Sequence, residues 1–434
     1  MNKYFEEALA MQPELVARRR DLHKHPETGF TEFRTASMII KELQALGYEV
    51  SYGDDCVVES EMFGVPGQAV LENHMQRAIA EGADPELVAK MAGGKTGVMG
   101  VMHFAKPGKT VAFRYDMDCN DVVECSEEHH RPFAEGFAST HKGEMHACGH
   151  DGHVTIGLAT AKLIAAHKDE MAGTIKILFQ PAEEGVRGAR AMALKGLVDD
   201  VDFMFGGHLG FKATLDNILI CACGGLLATT KLDAHFTGVS AHAGAAPQDG
   251  KNALLAAAQA AISLHSISRH GEGASRINVG VLNAGTGRNV LPNVADMKLE
   301  TRGANTKIND FMSSEANRML KAAADLYNVE VKITPAGSAP ACVTEVDFGQ
   351  EIAEIAKAAF EYDDVIDTMD FGGSEDCSYF METVQLKGGH AAYMCYGTQI
   401  AAGHHNDHFD FNEEVLWKAA AMCTTLAEVY TNKL

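Results

Sequence analysis

The sequence predicts an α/β protein with a doubly wound sheet and an inserted, ferredoxin-like α+β domain. Its 434 residues exceed the ~250–300 at which a single hydrophobic core stops growing, so two domains are expected. Short apolar strands alternate with helices in the first half of the chain, which is typical of a doubly wound sheet. Further along, the order becomes β-α-β-β-α-β. We therefore expect a larger, discontinuous domain at residues 1–226 and 339–434 and an inserted domain at 227–338.

The elements of the larger domain follow from the spacing of apolar residues. Residues 32–46 carry apolar side chains on one helical face, and Gly47 supplies the stop. Residues 54–95 resemble an insertion between strands, with two short helices of which the second begins at Pro85. The other predicted elements are strands at 96–102, 109–115, 173–179 and 202–205 and helices at 154–166 and 348–359.

The inserted domain is predicted from a change of period near residue 225. Leu232, Ala234 and Phe236 alternate with polar residues, as expected of an antiparallel strand with one buried face. The elements that follow are a helix at 252–263, strands at 276–282 and 296–301, a helix at 308–326 and a strand at 329–334.

Composition excludes several classes of partner. Lys and Arg number 37 and Asp and Glu number 59, so the net charge is 37 − 59 = −22. This charge argues against nucleic acid and anionic membranes, and an anionic substrate would need a local basic group. No apolar run approaches the ~20 residues of a membrane span, and the amino end lacks a signal-peptide core. Ten cysteines without a dense disulfide framework predict reduced thiols in the cytoplasm.

A metal site is predicted around the sequence HACGHDGH at residues 146–153. Cys148 and His150 flank a glycine that permits a tight loop, and zinc- or manganese-type cations bind such thiolate, imidazole and carboxylate ligands. The alternative is a buried thiol beside surface histidines. Glu184 and His208 follow predicted strands, as do Asp116 and Asp118, and strand ends of a doubly wound sheet are neighbours. This clustering favours the metal site.

The adjacent Glu183 and Glu184 suggest a division of labour. Neighbouring side chains point in different directions, so one glutamate can bind metal while the other acts as a proton acceptor for water. The structural alternative is an ordinary helix start, where glutamates suit the helix dipole. Asp118 and the turn at 371–376 are candidates to support the site from behind its ligands, or to act as structural caps.

Further candidates lie far along the chain. One of His404 and His405 is expected to return to the metals, while His23 and His25 are interpreted as capping or surface residues. In the inserted domain, three polar residues sit beside small residues, in a turn or at a strand end. One interpretation is that these residues support the fold. The other is functional: the histidine and the asparagine polarise a scissile carbonyl, and the arginine binds a substrate carboxylate. These residues are His242, Asn289 and Arg302.

The motifs also carry a family resemblance that spans nearly the whole chain. The sequences RRDLH, DMD, HACGHDGH, PAEEG, GH, SAHAG, GTGRNVLP and GGSED stand in the order found in the co-catalytic metallo-amidohydrolases, which include aminoacylases and plant auxin-conjugate hydrolases. One departure is Cys119-Asn120, where a pair of small apolar residues is usual. The resemblance implies two divalent metal ions, zinc or manganese, and an inserted domain that acts as a lid and in dimerisation. It implies as metal ligands Cys148, His150, Glu184, His208 and His405.

The same resemblance implies roles for the remaining site residues. It makes Glu183 the acid/base and prefers His405 to His404, because the family's ligand stands four residues before a phenylalanine, here Phe409. His242 would act in the site of a neighbouring chain. We expect a homodimer, or a heterodimer with a related subunit, that hydrolyses p-aminobenzoyl-glutamate to p-aminobenzoate and glutamate in folate breakdown. The alternatives are a general N-acyl-amino-acid or dipeptide hydrolase and a protein that needs a partner chain for activity.

Overall fold

The computed structural model describes residues 2–433. The first part of the chain contains eight α-helices and seven strands among these described residues. They are α1 (Lys3–Ala10), α2 (Gln12–Lys24), α3 (Phe33–Ala45), β1 (Glu49–Tyr52), α4 (Gln68–Ala80), α5 (Pro85–Lys90), β2 (Val98–His103), β3 (Thr110–Asp116), α6 (Arg131–Ala134), α7 (His150–Ala166), β4 (Thr174–Gln180), α8 (Ala189–Ala193), β5 (Phe203–Leu209), β6 (Ile218–Ile220) and β7 (Cys223–Gly224).

The middle and end of the chain supply the remaining elements. The middle contains β8 (Ala228–Thr237), α9 (Ala253–His265), β9 (Ser275–Ala284), β10 (Val294–Gly303), α10 (Thr306–Leu326) and β11 (Glu330–Ala339). The end contains α11 (Val346–Ala359), β12 (Asp364–Ile366), β13 (Met369–Asp370), α12 (Ser378–Leu386), β14 (His390–Tyr396) and α13 (Val415–Thr431).

The larger sheet has eight strands in the order β1-β2-β4-β3-β5-β14-β6-β12. Its centre, β4-β3-β5-β14, is parallel, whereas β2 and β6 run antiparallel to their central neighbours. Helices α7 and α13 pack on one face and α8 and α12 on the other. The predicted α/β class is therefore confirmed, with a mixed sheet whose parallel centre brings the carboxyl ends of β3, β4 and β5 to one edge.

The second sheet has four antiparallel strands in the order β11-β8-β10-β9. Alternate apolar residues of these strands pack against α9 and α10, which leaves the other face and the edge strand β9 in contact with solvent. Backbone contacts join this sheet to the turn after β4: Ser338 N donates to Val186 O at 2.9 Å. Any Cβ at position 337 would lie 2.1 Å from Gly185 O, so Gly337 is required for this approach.

Three local expectations need correction. Helix α7 begins at His150 rather than near 154, because Gly149 adopts φ +95° and the polar first turn is buried among partners. Strand β5 continues through Leu209, so His208 lies within the strand. The interpretation of His23 as a capping or surface residue is wrong: it is fully buried, with Nδ1 2.7 Å from Asp151 and Nε2 3.0 Å from Glu124. Buried charged partners, invisible in a linear pattern, stabilise it there.

The insertion between β1 and β2 is tied to the loop that precedes α7. Arg77 on α4 donates two hydrogen bonds of 2.8 Å to Glu144. Burial raises the pKa of Glu144, but hydrogen bonds from His141 and Arg77 outweigh it and lower the pKa from 4.5 to about 2. Because the folded pKa is depressed, Glu144 stabilises the fold above pH ~4.5, and this contribution is lost as the pH falls towards 2.

We expect Glu144→Gln to lower the free energy of unfolding by about 1–2 kcal/mol at pH 7, after allowance for solvent screening. Urea denaturation at several pH values measures this difference, which should shrink steadily as the pH drops below 4.5. The matched control is Glu72→Gln on α4, the helix that carries Arg77, where the glutamate side chain is exposed and removal of its charge should change little. If the difference in unfolding free energy between Glu144→Gln and wild type does not depend on pH, the pKa of Glu144 is not lowered as stated.

Among residues 2–433, no helix is both long enough and apolar enough to cross a membrane.

Candidate metal centre

Residues from separate parts of the chain line one cavity of about 180 Å³ at the carboxyl edge of the larger sheet. Its lining combines possible metal ligands, carboxylates, two aromatic rings and two cationic side chains from the second sheet. The lining residues that matter for chemistry are Cys148, Glu183, Glu184, His208, Phe211, Lys231, Arg302, Phe371, Glu375 and His405. Four of the five predicted ligands are thus lining residues. The fifth, His150, belongs to a group with Glu183 and Glu184 whose ligand atoms lie within 4.8 Å of one another.

The turn that presents the two glutamates is held by buried carboxylates. Asp118 accepts hydrogen bonds of 3.0 Å from the backbone N–H groups of both Glu183 and Glu184. Glu32 accepts a further one, of 2.8 Å, from Ala182, whose φ of +50° is unusual for a residue with a Cβ. The turn is therefore strained locally and fixed by its neighbours, which orients the two glutamates differently. Asp118 supports the site, as one of the two sequence interpretations had it.

Two histidines are oriented with one ring nitrogen directed to the centre. His150 donates through Nδ1 to the carbonyl oxygen of Asp118 at 2.8 Å, and its buried Nε2 has no hydrogen-bond partner among the described residues. His208 donates through Nδ1 to the carbonyl oxygen of Leu209 at 2.8 Å, and its Nε2 lies 3.4 Å from Cys148 Sγ. A backbone acceptor on Nδ1 is the usual device that leaves Nε2 as a metal ligand. The Nε2 lone pair of His150 is thus available to bind a cation.

The structure also distinguishes His404 from His405. His404 Nε2 accepts a hydrogen bond of 3.0 Å from the backbone of Phe211, so this nitrogen is already engaged. His405 has φ +66°, and its Nε2 lies 3.1 Å from Glu184 Oε1 in a group that includes Cys148. A non-glycine residue held in the left-handed region at a site is a sign of imposed orientation. His405 thus faces Glu184, whereas His404, whose Nδ1 is buried without a partner in residues 2–433, belongs to a group with Cys148 and His208.

The pKa values of these groups reflect how closely the fold holds them together. Burial would raise the pKa of Glu184, but His405 and His150 lower it to about 2. Contacts with Cys148 and Glu184 raise the pKa of His405 to about 10, which favours the positively charged ring as long as no cation is bound. Burial raises the pKa of the Cys148 thiol, which a bound cation would reverse. Cysteine, histidine and carboxylate side chains held this close together are the ligand types that a zinc- or manganese-type cation binds once it displaces their protons.

Glu183 differs from Glu184 in its surroundings. Burial and the nearby carboxylates of Glu375 and Glu184 raise the pKa of Glu183 well above its ordinary value, while His150 acts in the opposite direction. A carboxyl group with a raised pKa beside metal ligands suits an acid/base that exchanges protons near neutral pH. The two neighbouring glutamates thus have opposite electrostatic character.

The turn at 371–376 supports the centre through Arg114. This fully buried guanidinium donates to Asp116 at 2.7 Å, to Glu375 at 3.0 Å and to Asp376 at 3.2 Å. Asp116 in turn holds the ring of His153. Asp376 also accepts hydrogen bonds from the backbone N–H groups of residues 188 and 189. The acidic turn and Asp116 therefore compensate one buried cation and stiffen the strand ends beneath the ligands.

The three candidates of the second sheet are placed differently. Arg302 lines the cavity and is paired with Glu300 at 2.9 Å. His242 and Asn289 lie beside each other, where Ala243 N donates to Asn289 O at 3.0 Å, and both are exposed. Neither is among the residues that line the cavity of the same chain. The structure thus brings Arg302 to the centre and leaves the other two on adjacent solvent-facing loops, His242 between β8 and α9 and Asn289 between β9 and β10.

Phe211 and Lys231 line the cavity but were not predicted from the sequence, whereas Phe371 belongs to the predicted turn at 371–376. The rings of Phe211 and Phe371 stack with centroids 4.3 Å apart, and Lys231 adds a second cation 3.0 Å from Glu300. Phe211 stands three residues after His208, so proximity to a recognised motif was an available signal for it. Lys231 resembles any polar residue on an alternating strand, and no local signal marks it.

The mixed sheet and the donor groups at its strand ends define a metal-dependent amidohydrolase. The sequence profile of peptidase family M20/M25/M40 matches residues 112–429 of this chain. The chain belongs to this family.

Two curated relatives are similar over almost their full length. Indole-3-acetyl-aspartic acid hydrolase of Enterobacter agglomerans is 45% identical, covering 96% of this chain and 95% of the relative. One of the subunits of p-aminobenzoyl-glutamate hydrolase of Escherichia coli (strain K12) is 44% identical, covering 98% and 96%. The crystal structure of an aminobenzoyl-glutamate utilization protein from Klebsiella pneumoniae superimposes with a TM-score of 0.84 at 36% identity, covering 99% of this chain and 98% of that one.

Proposed function

We propose that Cys148, His150, Glu184, His208 and His405 bind two divalent cations, zinc or manganese. An open catalytic zinc site uses about three protein ligands, so five convergent donors exceed the need of one cation. The donors form overlapping groups: Cys148, Glu184 and His405 in one, and His150 with the paired glutamates in another. The buried, unpartnered Nε2 of His150 is the single observation that supports the proposal most directly within the described part of the chain.

The proposed reaction is hydrolysis of an amide bond with Glu183 as acid/base. Bound cations would polarise the scissile carbonyl and acidify the attacking water. Glu183 would accept the proton of that water and deliver it to the leaving nitrogen. The pKa of Glu183 is raised in the protein alone, and the positive charge of bound cations would lower it towards the range in which both proton transfers are possible. Asp118 keeps Glu183 oriented through its backbone N–H group.

We propose p-aminobenzoyl-glutamate as the substrate, cleaved to p-aminobenzoate and glutamate. Stacked Phe211 and Phe371 offer an apolar surface for an aromatic acyl group. Lys231 and Arg302 offer local positive charge for a carboxylate, against a net charge of −22 for the whole chain. The names of the Escherichia coli relative and the Klebsiella pneumoniae structure favour this substrate.

A second candidate substrate is an indole-acyl amino acid, because the relative from Enterobacter agglomerans, at 45% identity, is named for indole-3-acetyl-aspartate. Both candidates join an aromatic acyl group to an acidic amino acid, so the same cavity suits either. Values of kcat/KM for the purified, metal-loaded chain on p-aminobenzoyl-glutamate, indole-3-acetyl-aspartate and N-acetyl amino acids decide between them. Preference for aliphatic acyl groups would favour a general N-acyl-amino-acid or dipeptide hydrolase and overturn the aromatic assignment.

We expect Arg302→Ala to reduce kcat/KM for p-aminobenzoyl-glutamate by about 10–100-fold, mainly through KM, because a charge-assisted hydrogen bond to substrate is lost. The same variant should cleave an analogue in which the carboxylates are amidated about as well as wild type does. Steady-state kinetics on both substrates measure the contrast. Arg318→Ala is the matched control, since that exposed arginine contacts only Glu315 and Met319 among the described residues. Equal losses on both substrates would exclude carboxylate recognition by Arg302.

We further propose that residues 227–338 form an inserted, ferredoxin-like lid and dimerisation domain. Its edge strand β9 has an unpaired side, and apolar residues are exposed on β9 and α9, with Leu282 41% and Ile262 69% exposed. Exposed apolar side chains along an open sheet edge suit pairing with a second chain. His242 lies outside the cavity of its own chain, which supports a role in the cavity of its partner. That partner is a second copy of this chain or a related protein. The second option arises because the Escherichia coli relative is named as a subunit of its hydrolase.

We also propose a cytoplasmic location. The support is the state of the cysteines: all ten are free thiols in the structure, which suits a reducing compartment.

A further inference from the structure

A second group of metal-ligating side chains lies outside the cavity and takes no part in the proposed reaction. Cys125 and His129 lie in the loop between β3 and α6, and His408 lies in the loop between β14 and α13. One ligand atom of each residue lies within 4.8 Å of the ligand atoms of the other two. The two imidazoles face each other, with His129 Nε2 and His408 Nε2 3.1 Å apart. Three soft or borderline donors from two loops thus surround one point.

A carboxylate lies on the far side of each ring. Asp407 Oδ1 lies 2.6 Å from His408 Nδ1, and Glu127 Oε2 lies 3.3 Å from His129 Nδ1. The hydrogen bond to Asp407 favours Nδ1–H on His408, which leaves the Nε2 of His408 as an acceptor. The separation of 3.1 Å between the two Nε2 atoms is that of an N–H···N hydrogen bond, and it is also close to the spacing that a shared cation sets. A zinc ion with bonds of about 2.0–2.1 Å to two nitrogens would set them about 3.3 Å apart at a tetrahedral angle.

The thiol distinguishes a cation from a shared proton. Cys125 is partly exposed, whereas the other nine cysteines of residues 2–433 are buried. Its backbone N–H donates to the carbonyl oxygen of Asp407 at 3.0 Å, which fixes the thiol-bearing loop against the histidine-bearing loop. A proton shared by two imidazoles needs no third donor. A partly exposed thiol held beside two imidazoles, each with a carboxylate behind it, has the composition of a zinc site.

We propose that Cys125, His129 and His408 form an additional divalent-cation site of the Cys/His₂ type, with zinc as its preferred ion and one coordination position open to solvent. His129 and His408 are 62% and 37% exposed at the side chain, so an ion can reach the site without passing the cavity. The ion would join the loop after β3 to the loop that carries His405. The site shares no residue with the proposed reaction, so its existence is independent of the proposed function.

Residue-specific alkylation of Cys125 tests the proposal without using turnover. The full-length chain, loaded with manganese and free of zinc, is treated with iodoacetamide with and without added Zn²⁺, and the peptide that contains Cys125 is quantified by mass spectrometry. We expect zinc to slow labelling of Cys125 by about tenfold or more, because a coordinated thiolate is a poor nucleophile towards the reagent. In His129→Gln, labelling should be equally fast with and without zinc.

Control variants separate this site from the cavity and from misfolding. His265→Gln changes another exposed histidine and should keep the protection by zinc. His408→Gln should lose it, as a second independent variant at the site. Metal analysis after dialysis against zinc should find one ion fewer per chain in Cys125→Ser than in wild type. The proposal would be overturned if zinc does not change the rate at which iodoacetamide labels wild-type Cys125. It would also be overturned if zinc still protects Cys125 in both His129→Gln and His408→Gln.

Discussion

Replacement of Glu183 by glutamine should abolish turnover while leaving the cations bound. The amide keeps the size of the carboxylate but cannot accept the proton of water, and loss of a general acid/base costs about 10²–10⁴-fold in rate. We expect kcat for p-aminobenzoyl-glutamate to fall by about 10³-fold or more, with little change in metal content. Stopped assays at high enzyme concentration and elemental analysis of the same sample measure both quantities.

The neighbouring glutamate supplies the matched comparison. Glu184→Gln should lose metal as well as activity, because Glu184 shares a group of ligand atoms with His405 and Cys148. High metal concentration should restore part of the activity of Glu184→Gln and none of that of Glu183→Gln. If Glu183→Gln loses metal, or keeps more than about a tenth of wild-type kcat, the division of roles between the two residues is wrong.

The parts of the fold that depend on local patterns were predictable from the sequence. Period and stop signals placed α3 and the strands β3 and β4 within about two residues, because these elements bury one clear face. The strand-end rule then brought distant motifs together: Asp118 does contact the turn that carries Glu183. Both successes rest on physics that acts along a short stretch of chain or at one edge of a sheet.

Other features depend on contacts that no short stretch records. His23 is buried because Asp151 and Glu124, both more than 100 positions away, lie within hydrogen-bond distance of its two ring nitrogens. The different surroundings of His404 and His405 depend partly on the backbone N–H of Phe211, which donates to His404 Nε2. Lys231 reaches the cavity only because the second sheet approaches the turn after β4. Long-range hydrogen bonds and the packing of one sheet on another decide these cases.

A mixture of two inactive variants should recover activity if His242 serves the partner's cavity. Glu183→Gln and His242→Ala are each expected to be nearly inactive, the second by about 10²–10³-fold through loss of a donor to the scissile carbonyl. In a mixed dimer, one cavity combines intact Glu183 from one chain with intact His242 from the other. With random exchange of chains in a two-fold dimer, about a quarter of wild-type activity should return.

The recovery depends on where His242 lies. His242 is exposed on the loop between β8 and α9 and Asn289 on the loop after the edge strand β9, and neither lines the cavity of its own chain. A catalytic role for His242 within its own chain would need the second sheet to move relative to the first. In that case one cavity of the mixed dimer would lack Glu183 and the other would lack His242, so mixing would restore no activity. Mixing two variants with defects in the same cavity, Glu183→Gln and Glu184→Gln, is the control and should give no recovery in either case. Activity measured after co-refolding or prolonged incubation of each pair therefore distinguishes a cavity completed by the partner chain from one completed by closure of a single chain.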